Sequence, residues 1–542
     1  MDEPAEAAAR AGADCDVVVI GAGFAGLYAI HKLTRLGFSV IAFERGGDVG
    51  GVWYWNRYPG ARCDCESYYY SYSFSDELQK AWSWSLRYSE QPEILRYLSH
   101  VADRFNLRRH IRFSATVEQA RFDEATSLWT VKASNGEVVS ARFVVSAAGC
   151  LSAIQKPDIP GLDRFEGEVH YTAAWPHEGV DFTGKRVGVV GTGASGVQAI
   201  SRIAPQAKAL TVFQRTANWV IPVWNRPTSA EFDAWSKAHH AEFRAKCLAS
   251  AGAVPFDPPK AKTFEVSDAE RQAIFDDYWA RGGTQFFGAF TDLFSNLEAN
   301  DAAAEVVRQY IRKVVDDPAI AETLIPTDHP LGTKRPPMDD DYYATFNLEH
   351  VRLVDIRKSP ITGFQGRTLH TRDGVYELDA LVLATGFDAI SGALLSIDIV
   401  GRDGRSLRDE WAKGARTYLG LGMAGFPNLF TVTGPLSPSV LANMPTAVEQ
   451  HVDWIADCLV YMREHGLAEI EPGEAAQDDW VSHVAEVASG SLYQRANSWY
   501  LGANIPGKPR QFGVYLGGFG AYKQRCDSVA ERGYEGFERR SV

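Results

Sequence analysis

Two segments of the chain share one pattern: a short apolar run, rich in β-branched residues, leads directly into a glycine-rich turn. Residues 16–20 (DVVVI) lead into residues 21–26 (GAGFAG), and residues 186–190 (RVGVV) lead into residues 191–196 (GTGASG). Such apolar runs are typical of strands that are buried on both faces of a parallel sheet. Because the two copies start about 170 residues apart, the pattern indicates a duplicated module and not a short repeat.

The residues after each turn complete a β–α–β unit. Residues 27–36 are predicted to form a helix that ends at Gly37, and residues 39–43 are predicted to form a second strand. In the second copy a helix is predicted to run on from Val197, and residues 209–213 are predicted to form the next strand. Units of this kind build the doubly wound α/β domains that bind nucleotides.

The two turns have the G-x-G-x-x-G spacing of dinucleotide-binding sites. Glycine lets the backbone approach a pyrophosphate closely, and the following helix presents free N–H groups to it. The bare pattern is a weak signal in a chain with 48 glycines, but two copies between a strand and a helix are a strong one. The candidate phosphate-binding residues are Gly21, Gly23 and Gly26 in the first turn and Gly191, Thr192, Gly193, Ser195 and Gly196 in the second.

The residues that end each second strand distinguish the nucleotides. Glu44 lies 23 residues beyond Gly21, where a carboxylate binds ribose hydroxyls and repels a 2′-phosphate, so the first site suits FAD or NAD. Arg215 lies 24 residues beyond Gly191 and is followed by Thr216; a cation there favours the 2′-phosphate of NADP. FAD in the first site and NADPH in the second indicate a flavoenzyme that receives hydride from NADPH.

The remaining segments extend the two units into larger domains. Buried strands are predicted over residues 143–148 and 380–384, and the Ala-, Glu-, Arg- and Lys-rich residues 222–331 have the amphipathic spacing of a helical insertion. The predicted fold is α/β, with two doubly wound Rossmann-like nucleotide-binding domains and this insertion. The predicted boundaries are residues 1–149 and 386–542 for a discontinuous FAD-binding domain and residues 150–385 for an NADP-binding domain.

Composition excludes several other classes of protein. The 542 residues are 45% hydrophobic and 23% charged, which is ordinary for a globular chain with a large core. A net charge of −13 argues against nucleic acid and anionic membranes as partners. No run of 18 apolar residues predicts a membrane span, and the acidic residues 1–14 do not resemble a secretory signal. We therefore expect a cytoplasmic protein that is a monomer or a weak oligomer and acts on a small molecule.

The cysteines predict neither a disulfide framework nor a metal site. There are seven of them, an odd number with scattered spacing, as is common in a reducing cytoplasm. Cys63 and Cys65 form a C-x-C motif and not the C-x-x-C of a dithiol redox enzyme. No His or Cys cluster has zinc-ligand spacing.

One aromatic segment identifies a family. Residues 50–64 (GGVWYWNRYPGARCD) match the pattern [A/G]-G-x-W-x-x-x-x-[F/Y]-P-[G/M]-x-x-x-D at every specified position. This segment resembles the flavin-side signature of the type I Baeyer–Villiger monooxygenases. Three further segments resemble parts of the same family: the second flavin-domain signature, the loop with the active-site arginine and the mobile substrate loop. They are residues 384–388 (ATGFD), 332–336 (GTKRP) and 498–508 (SWYLGANIPGK).

The family's other fingerprint, F-x-G-x-x-x-H-x-x-x-W-[P/D], is matched with one departure. Residues 165–176 (FEGEVHYTAAWP) keep the Phe, Gly, Trp and Pro positions. Tyr171 stands at the histidine position, and His170 lies one residue earlier. In an extended segment such a shift moves the imidazole to the opposite face. We interpret His170 as a surface or linker histidine.

The resemblance implies a reaction and a substrate class. Enzymes of the family use FAD, NADPH and O₂ to form a C4a-peroxyflavin, which inserts one oxygen atom beside a ketone carbonyl and gives an ester or lactone. Residues 434–444 keep the longer active-site loop of the phenylacetone and steroid monooxygenases, whereas the cyclohexanone enzymes have a loop two residues shorter. The chain is most similar to the phenylacetone enzymes, also to the steroid, cyclopentanone and cyclohexanone ones, and we expect aryl or bulky cyclic ketones as substrates.

The resemblance also assigns roles to residues. Arg335 would stabilise the anionic oxidant and Asp64 would be its buried carboxylate partner, since guanidinium stays charged when desolvated. Lys334 would hold the 2′-phosphate together with Arg215 and Thr216. The residues expected to contact FAD are Val52, Trp53, Trp55, Asp64 and Tyr70. The residues expected to contact substrate are Leu441, Met444 and Trp499, of which Trp499 would also cover the nicotinamide.

Three alternatives share the dinucleotide turns. A flavin monooxygenase of sulfides or amines uses a protonated, electrophilic oxidant, and Asp64, Arg335 and the Trp175–Pro176 ending argue against it. A disulfide reductase needs a C-x-x-C beside the flavin, which the sequence lacks. A dinucleotide-binding redox module without turnover is favoured only by the displaced His170.

Overall fold

The computed structural model describes residues 12–541. Most of the acidic N-terminal segment over residues 1–14 lies outside the described residues, and so does the prediction made for it. Among the described residues, no helix is long and apolar enough to cross a membrane.

The strands fall into two large sheets and two small ones. In chain order they are β1 (Cys15–Ile20), β2 (Val40–Phe43), β3 (Ile111–Arg112), β4 (Val117–Asp123), β5 (Leu128–Ala133), β6 (Val138–Ser146), β7 (Glu168–Tyr171), β8 (Arg186–Val190), β9 (Ala209–Gln214), β10 (Val351–Asp355), β11 (Ile361–Gln365), β12 (Thr368–Thr371), β13 (Gly374–Glu377), β14 (Ala380–Leu383), β15 (Asp398–Val400), β16 (Leu429–Thr431), β17 (Leu467–Pro472) and β18 (Phe537–Ser541).

The helices cover the sheets and fill the segment between β9 and β10. They are α1 (Phe24–Arg35), α2 (Val52–Trp55), α3 (Asp76–Ala81), α4 (Gln91–Arg104), α5 (Ala194–Ile203), α6 (Ala230–Ala238), α7 (His240–Ala249), α8 (Asp268–Arg281), α9 (Leu297–Val314), α10 (Pro318–Leu324), α11 (Gly392–Leu395), α12 (Leu407–Glu410), α13 (Met444–Glu464), α14 (Glu474–Ser489) and α15 (Phe519–Glu531). Helices α6 to α10 account for the predicted helical insertion.

The first large sheet combines strands from both ends of the chain. Its order is β15-β4-β5-β6-β1-β2-β3, and β16 pairs with β6 as well. Strands β16, β6, β1, β2 and β3 are parallel, whereas β4 and β5 form an antiparallel meander. Every residue of β1 is buried, as the apolar run predicted for a strand covered on both faces. The C-terminal strands β15 and β16 thereby complete a sheet that begins at Cys15.

The second large sheet is wholly parallel and comes from one continuous part of the chain. Its order is β10-β9-β8-β14-β7. In its centre Val189 of β8 lies opposite Val382 of β14 and Val212 of β9, and all three side chains are buried. The remaining sheets are the meander β11-β12-β13 and the pair β17-β18.

Several element boundaries differ from those predicted. Helix α1 begins at Phe24 and not at Leu27, and α5 begins at Ala194, because each helix starts within its glycine-rich turn. Strand β6 covers Val138–Ser146 and not residues 143–148, since its first half pairs with β5 in an antiparallel arrangement that the apolar pattern did not reveal.

Candidate active site

A cavity of about 630 Å³ opens at the carboxyl ends of β1 and β6. Its walls come from the first glycine-rich turn, the aromatic segment over residues 50–70, the loop at Arg335 and the start of α13. The structure brings eleven of the predicted site residues together there: Gly21, Gly23, Glu44, Val52, Trp53, Trp55, Asp64, Tyr70, Arg335, Met444 and Trp499. Gly26 and Leu441 lie close by but do not line the cavity.

The two glycine-rich turns have nearly the same geometry. Gly21 and Gly191 have φ angles of 104° and 107°, a region that favours glycine. A Cβ on Gly26 would lie 1.8 Å from the carbonyl oxygen of Gly21, and one on Gly196 would lie 2.2 Å from that of Gly191. In both units the helix therefore presses against the strand end, which aims the first N–H groups of α1 and α5 at the space in front of the turn.

Glu44 stabilises the first turn from the end of β2. Its carboxylate accepts hydrogen bonds from the backbone N–H groups of Ala22 at 2.8 Å and Gly46 at 2.7 Å. The neighbouring Arg45, which sequence reasoning did not single out, lies 4.7 Å from the ring centre of Trp55. Both residues line the cavity, so this end offers hydroxyl-binding oxygens and a cation.

Arg335 and Asp64 form a two-bond ion pair at the cavity wall. The Nε and Nη2 atoms of Arg335 donate to the two carboxylate oxygens of Asp64 at 2.5 and 2.9 Å. Burial opposes the charge on Arg335, but Asp64 outweighs it and keeps the pKa of the guanidinium above its ordinary value. Burial alone would raise the pKa of Asp64, yet Arg335 holds it below the ordinary value. The side chain of Arg335 is 30% exposed, so a fixed cation faces the cavity.

Two further groups hold the guanidinium of Arg335. Its Nη1 atom donates to the carbonyl oxygen of Val440 at 2.5 Å. The hydroxyl of Tyr500, a buried residue that sequence reasoning missed, also lies against Arg335. Since Tyr500 follows Trp499, the arginine contacts the segment over residues 498–508 that was expected to cover the site. The only sequence signal for Tyr500 was its place beside Trp499.

A second ion pair joins the same two segments with the charges reversed. Arg62 donates to Asp339 at 3.1 Å, and the two side chains are only 2% and 0% exposed. Ser201 of α5 also donates to Asp339, at 3.3 Å. Residues 62–64 and 335–339 are thus joined by reciprocal ion pairs, which fix the position of Arg335 relative to Asp64.

The second glycine-rich turn faces a cluster of cations. Burial lowers the pKa of Lys334, Asp328 opposes that effect, and the nearby Arg215 and Arg357 lower it further. Arg357, which follows β10 and was not predicted, lies 3.5 Å from Asp328. The hydroxyl of Thr192 donates to the carbonyl oxygen of Thr216 at 2.8 Å, which joins the turn to the end of β9. Ser195 bonds to Thr172 of the fingerprint segment.

Two buried polar atoms beside these cations make no hydrogen bond with any residue in the range 12–541. They are Oε1 of Gln214 at the end of β9 and Nε2 of His329, which lies near Lys334. A Cβ on Gly193 would meet no atom within 4 Å, so space is open above this turn. Unpaired polar atoms, open space and clustered cations fit the adenosine phosphate end of NADP.

The aromatic residues form the wall of the cavity. The indole N–H of Trp53 donates to the hydroxyl of Tyr70 at 3.2 Å, and Tyr70 is buried. Trp499 packs on Tyr500 with ring centres 4.2 Å apart. Leu441 packs in a neighbouring apolar cluster that includes Trp499 and Met444.

The segment over residues 498–508 is fastened to the signature over residues 384–388. Lys508 donates to the carboxylate of Asp388 and, at 2.9 Å, to the carbonyl oxygen of Ala389. Asn504 donates to the carbonyl oxygen of Phe387 at 2.9 Å. These bonds anchor the segment, and its Trp499 lines the cavity.

His170 and Tyr171 point to opposite faces of β7, as the shifted fingerprint predicted. His170 packs against Trp175 and Phe182 and lies 3.1 Å from the carboxylate of Glu168. Its side chain is only 13% exposed, so of the two interpretations, surface or linker histidine, the surface one is wrong. It is a packed residue that supports Trp175, while Tyr171 packs in the apolar cluster behind the sheet.

Cys63, Asp64 and Cys65 form a compact group in the cavity wall. The two sulfur atoms and a carboxylate oxygen of Asp64 lie within 4.8 Å of one another. Both carboxylate oxygens of Asp64 already accept hydrogen bonds from the guanidinium of Arg335, whose positive charge would repel a metal ion. The absence of a metal stays a prediction.

Comparison with known proteins identifies the family. A family model described as flavin-binding monooxygenase-like matches residues 14–234. A Baeyer–Villiger monooxygenase from Pseudooceanicola batsensis is 43% identical over 527 residues, which cover 96% of each protein. The chain belongs to the Baeyer–Villiger monooxygenases. The family predicted from residues 50–64 is thereby confirmed, and so is the prediction that the chain is a flavin monooxygenase.

Solved structures of Baeyer–Villiger monooxygenases share the fold. Oxidized steroid monooxygenase bound to NADP is 52% identical, with a TM-score of 0.94 that covers 97% of this chain and 100% of that chain. The OTEMO complex with FAD and NADP is 42% identical, with a TM-score of 0.94 and the same coverage. The predicted α/β fold is confirmed by these likenesses and by the two large sheets.

Proposed function

We propose that the chain uses FAD, NADPH and O₂ to insert one oxygen atom beside a ketone carbonyl, which gives an ester or a lactone. The observation that carries this proposal is the position of Arg335 in the cavity wall, where Asp64 and Val440 hold its guanidinium in place. Membership of the Baeyer–Villiger family supports the same reaction.

The described residues fit both cofactors. Gly21, Gly23 and Glu44, with Val52, Trp53, Trp55, Asp64 and Tyr70, would hold FAD in the cavity, and Gly26 would allow α1 to approach the strand. The second glycine-rich turn, with Arg215, Thr216 and Lys334, would hold NADPH. We propose that residues 1–149 and 386–542 form the FAD-binding domain and residues 150–385 the NADP-binding domain. The composition of the two large sheets supports this division.

The side chains around the cavity supply a positive charge, hold that charge in place and exclude water. Bound FAD would accept hydride from NADPH and activate O₂. Arg335 stabilises negative charge at the reacting oxygen, because a guanidinium keeps its proton and so does not quench an anion. Asp64 and Val440 hold the guanidinium so that it does not reorient during the reaction. Trp499 lines the cavity, and the segment over residues 498–508 is anchored by hydrogen bonds, so together they exclude water from the site.

The substrate would be an aryl or bulky cyclic ketone. Met444 and Trp499 line the cavity and Leu441 lies just behind them, so the wall nearest Arg335 is apolar and aromatic. We also propose that the enzyme is a cytoplasmic monomer or weak oligomer without a nucleic-acid or membrane partner. The net charge of −13 argues against those two partners, and the seven scattered cysteines favour the cytoplasm.

Product analysis tests the proposed function. The purified protein, loaded with FAD, is incubated with NADPH, O₂, phenylacetone, cyclohexanone, cyclopentanone, a steroid ketone and a sulfide. Esters or lactones support the proposal and identify the substrate class. Sulfoxide as the sole product would instead support a monooxygenase with an electrophilic oxidant, and absence of NADPH consumption would support a non-catalytic module.

A further inference from the structure

The C-x-C motif has no part in the function described so far. Cys63 and Cys65 flank Asp64, and the backbone N–H of Cys65 donates to the sulfur of Cys63 at 3.3 Å. The two sulfur atoms lie within 4.8 Å of one another. The thiol of Cys65 also lies 3.9 Å from an Asp64 carboxylate oxygen. The pair is therefore close enough to bond covalently after small side-chain rotations.

Both cysteines line the cavity that is proposed to hold FAD. They are 6% and 8% exposed, and the cavity is bounded by both of them together with Asp64 and Arg335. An oxidant formed or admitted there meets these thiols before it reaches the deeper cysteines. Cys150 lines the same cavity but has no second cysteine beside it in sequence.

We propose that Cys63 and Cys65 are a peroxide-sensitive dithiol, and that their oxidation to a disulfide switches off oxygen insertion. The loss of oxygen insertion rests on the proposed function, whereas the formation of the disulfide does not.

The oxidation balances with hydrogen peroxide as the oxidant. The sulfur of Cys65 attacks one peroxide oxygen, the O–O bond breaks, and the thiol proton leaves with the other oxygen as water. The sulfur of Cys63 then attacks the sulfenic sulfur of Cys65, and the S–O bond breaks to release a second water. Two thiols lose two electrons and two protons in total, and one peroxide becomes two waters.

The two sulfurs have different surroundings. Burial raises the pKa of the Cys63 thiol. The thiol of Cys65 donates to the carboxylate of Asp64 at 3.9 Å. We assign the first step to Cys65 and the second to Cys63; an exchange of the two roles gives the same disulfide.

The disulfide would act directly on the catalytic pair. Asp64 is the one residue between the two cysteines, so it would lie inside the small ring that the bond closes. Closing that ring changes the backbone around Asp64 and moves its carboxylate away from Arg335. A displacement of about 1 Å of a positioning group costs about a hundredfold in rate. Small rings strain the disulfide and make it easy to reduce, so the switch is reversible.

Peptide mapping of the holoenzyme tests the proposal. The FAD-loaded protein is treated with hydrogen peroxide, its remaining thiols are alkylated, and it is cleaved with trypsin. The peptide over residues 63–80 contains both cysteines and no others. We expect it to be unalkylated and lighter by two hydrogen atoms. Dithiothreitol should restore two alkylation sites, and the rate of ester formation should fall about a hundredfold on oxidation and return on reduction.

Matched variants separate this pair from other oxidation. Each variant is compared with its own untreated sample. Cys63→Ala and Cys65→Ala should each abolish the reversible part of the loss, whereas Cys150→Ser should show the same reversible loss as the unaltered chain. If one of the two alanine variants does not fold, the other and the mapping of the unaltered chain still decide.

Two results would overturn the proposal. Alkylation of both cysteines after peroxide treatment excludes the disulfide. An equal, reversible loss of ester formation in Cys63→Ala and in the unaltered chain excludes its effect on activity. If no ketone is oxygenated but the disulfide forms, the proposed function fails and the dithiol stands, so the two failures are distinguishable.

Discussion

At the scale of single residues, the proposed site depends on the guanidinium of Arg335 and on the groups that hold it in position. Arg335 donates three hydrogen bonds, two to Asp64 and one to Val440, and Tyr500 lies against it. Five N–H donors are available on arginine, so some remain for a reacting oxygen. A side chain that is already held loses little entropy when it binds an anion.

Substitution Arg335→Ala is expected to abolish ester formation while NADPH still reduces the flavin. The alanine removes the cation that faces the cavity, and removing one such donor typically slows a reaction about a hundredfold or more. Stopped-flow absorbance of the flavin measures reduction, and gas chromatography measures ester. Arg335→Lys is the control, since it keeps a charge but loses one of the two parallel bonds to Asp64, and it should lie between the two. Ester formation at the original rate in Arg335→Ala would refute the role of this residue.

Substitution Arg215→Ala is expected to raise the KM for NADPH about tenfold or more, because a charged hydrogen bond to the 2′-phosphate is lost. The KM for NADH should change little, as NADH lacks that phosphate. Lys334→Ala and Arg357→Ala should also raise the KM for NADPH. Arg352→Ala, an exposed arginine on the neighbouring strand β10, is the matched control. Equal effects on NADPH and NADH would contradict the assignment.

At the scale of elements, the sequence predicted those that follow a local pattern. The strands β1, β8 and β9 and the helices α1 and α5 were predicted because apolar runs, glycine turns and amphipathic spacing are local signals. The meander of β4 and β5 and the pair β17-β18 were not predicted. Strands β4 and β5 pair with each other as a local hairpin, but their alternation of apolar and polar residues is short. The partner of β17 lies far away in sequence.

Two glycines of the second glycine-rich turn allow a test that separates the strand–helix contact from the space left for the ligand. Gly196→Ala should destabilise the protein, because its Cβ would lie 2.2 Å from a backbone oxygen. Gly193→Ala should leave the melting temperature nearly unchanged, since its Cβ meets nothing within 4 Å, yet it should raise the KM for NADPH by occupying the space of the pyrophosphate. Thermal melts and NADPH kinetics measure the two effects. A large loss of stability in Gly193→Ala would contradict this division.

Helix α13 contains a histidine that makes the fold sensitive to acid. His451 is fully buried; its Nδ1 accepts from the N–H of Thr433 at 2.9 Å, and its Nε2 bonds to the hydroxyl of Tyr522 at 2.9 Å. A second proton on Nδ1 would oppose the Thr433 N–H. Burial lowers the pKa of His451 from 6.5 to about 3.

The shifted pKa of His451 predicts lower stability in acid. The unfolded chain binds a proton at this position below pH 6.5 and the folded chain does not, so stability falls as pH falls from 6.5 towards 3. Between pH 7 and pH 5 the loss from this one group is about 2 kcal/mol. Urea unfolding at both pH values, compared with His451→Gln, measures it. An equal pH dependence in the variant would contradict the prediction.

At the scale of the whole molecule, the two halves meet through buried charge. Arg62 and Asp339 come from segments that are 277 residues apart, and they lie beside the Asp64–Arg335 pair. Removing one partner of a buried pair typically costs about 3–5 kcal/mol, because the other charge is left unpaired.

A double-variant cycle tests the Arg62–Asp339 pair. Arg62→Gln and Asp339→Asn should each lower the melting temperature strongly, and the double variant should melt above both, since neither charge is then left alone. The ratio of ester formed to NADPH consumed should fall in all three, because Arg335 is no longer held in register. Additive losses of melting temperature would show that the two residues act independently.

The assembly of the site explains what the sequence left hidden. Residues 50–64 contained Asp64 in a recognisable pattern, and the loop at Arg335 was assigned through the same resemblance. Arg357, Tyr500 and the pairing of Arg62 with Asp339 depend on contacts between distant segments, and no local pattern marks them. Local signals thus located the two glycine-rich turns, whereas long-range packing set the orientation of the charged side chains at the cavity.

Because the first sheet combines strands from both ends of the chain, it can be completed only late in translation. Paired residues of β16 and β6 are 285 positions apart in sequence, and every strand of the second sheet is translated between them. The second sheet has all its strands by residue 383 and can form on the ribosome, whereas β6 in the first sheet lacks one of its neighbours until β16 is translated. The proposed FAD site lies at this sheet, so we expect flavin to bind, and the protein to become yellow, only after β16 has been translated.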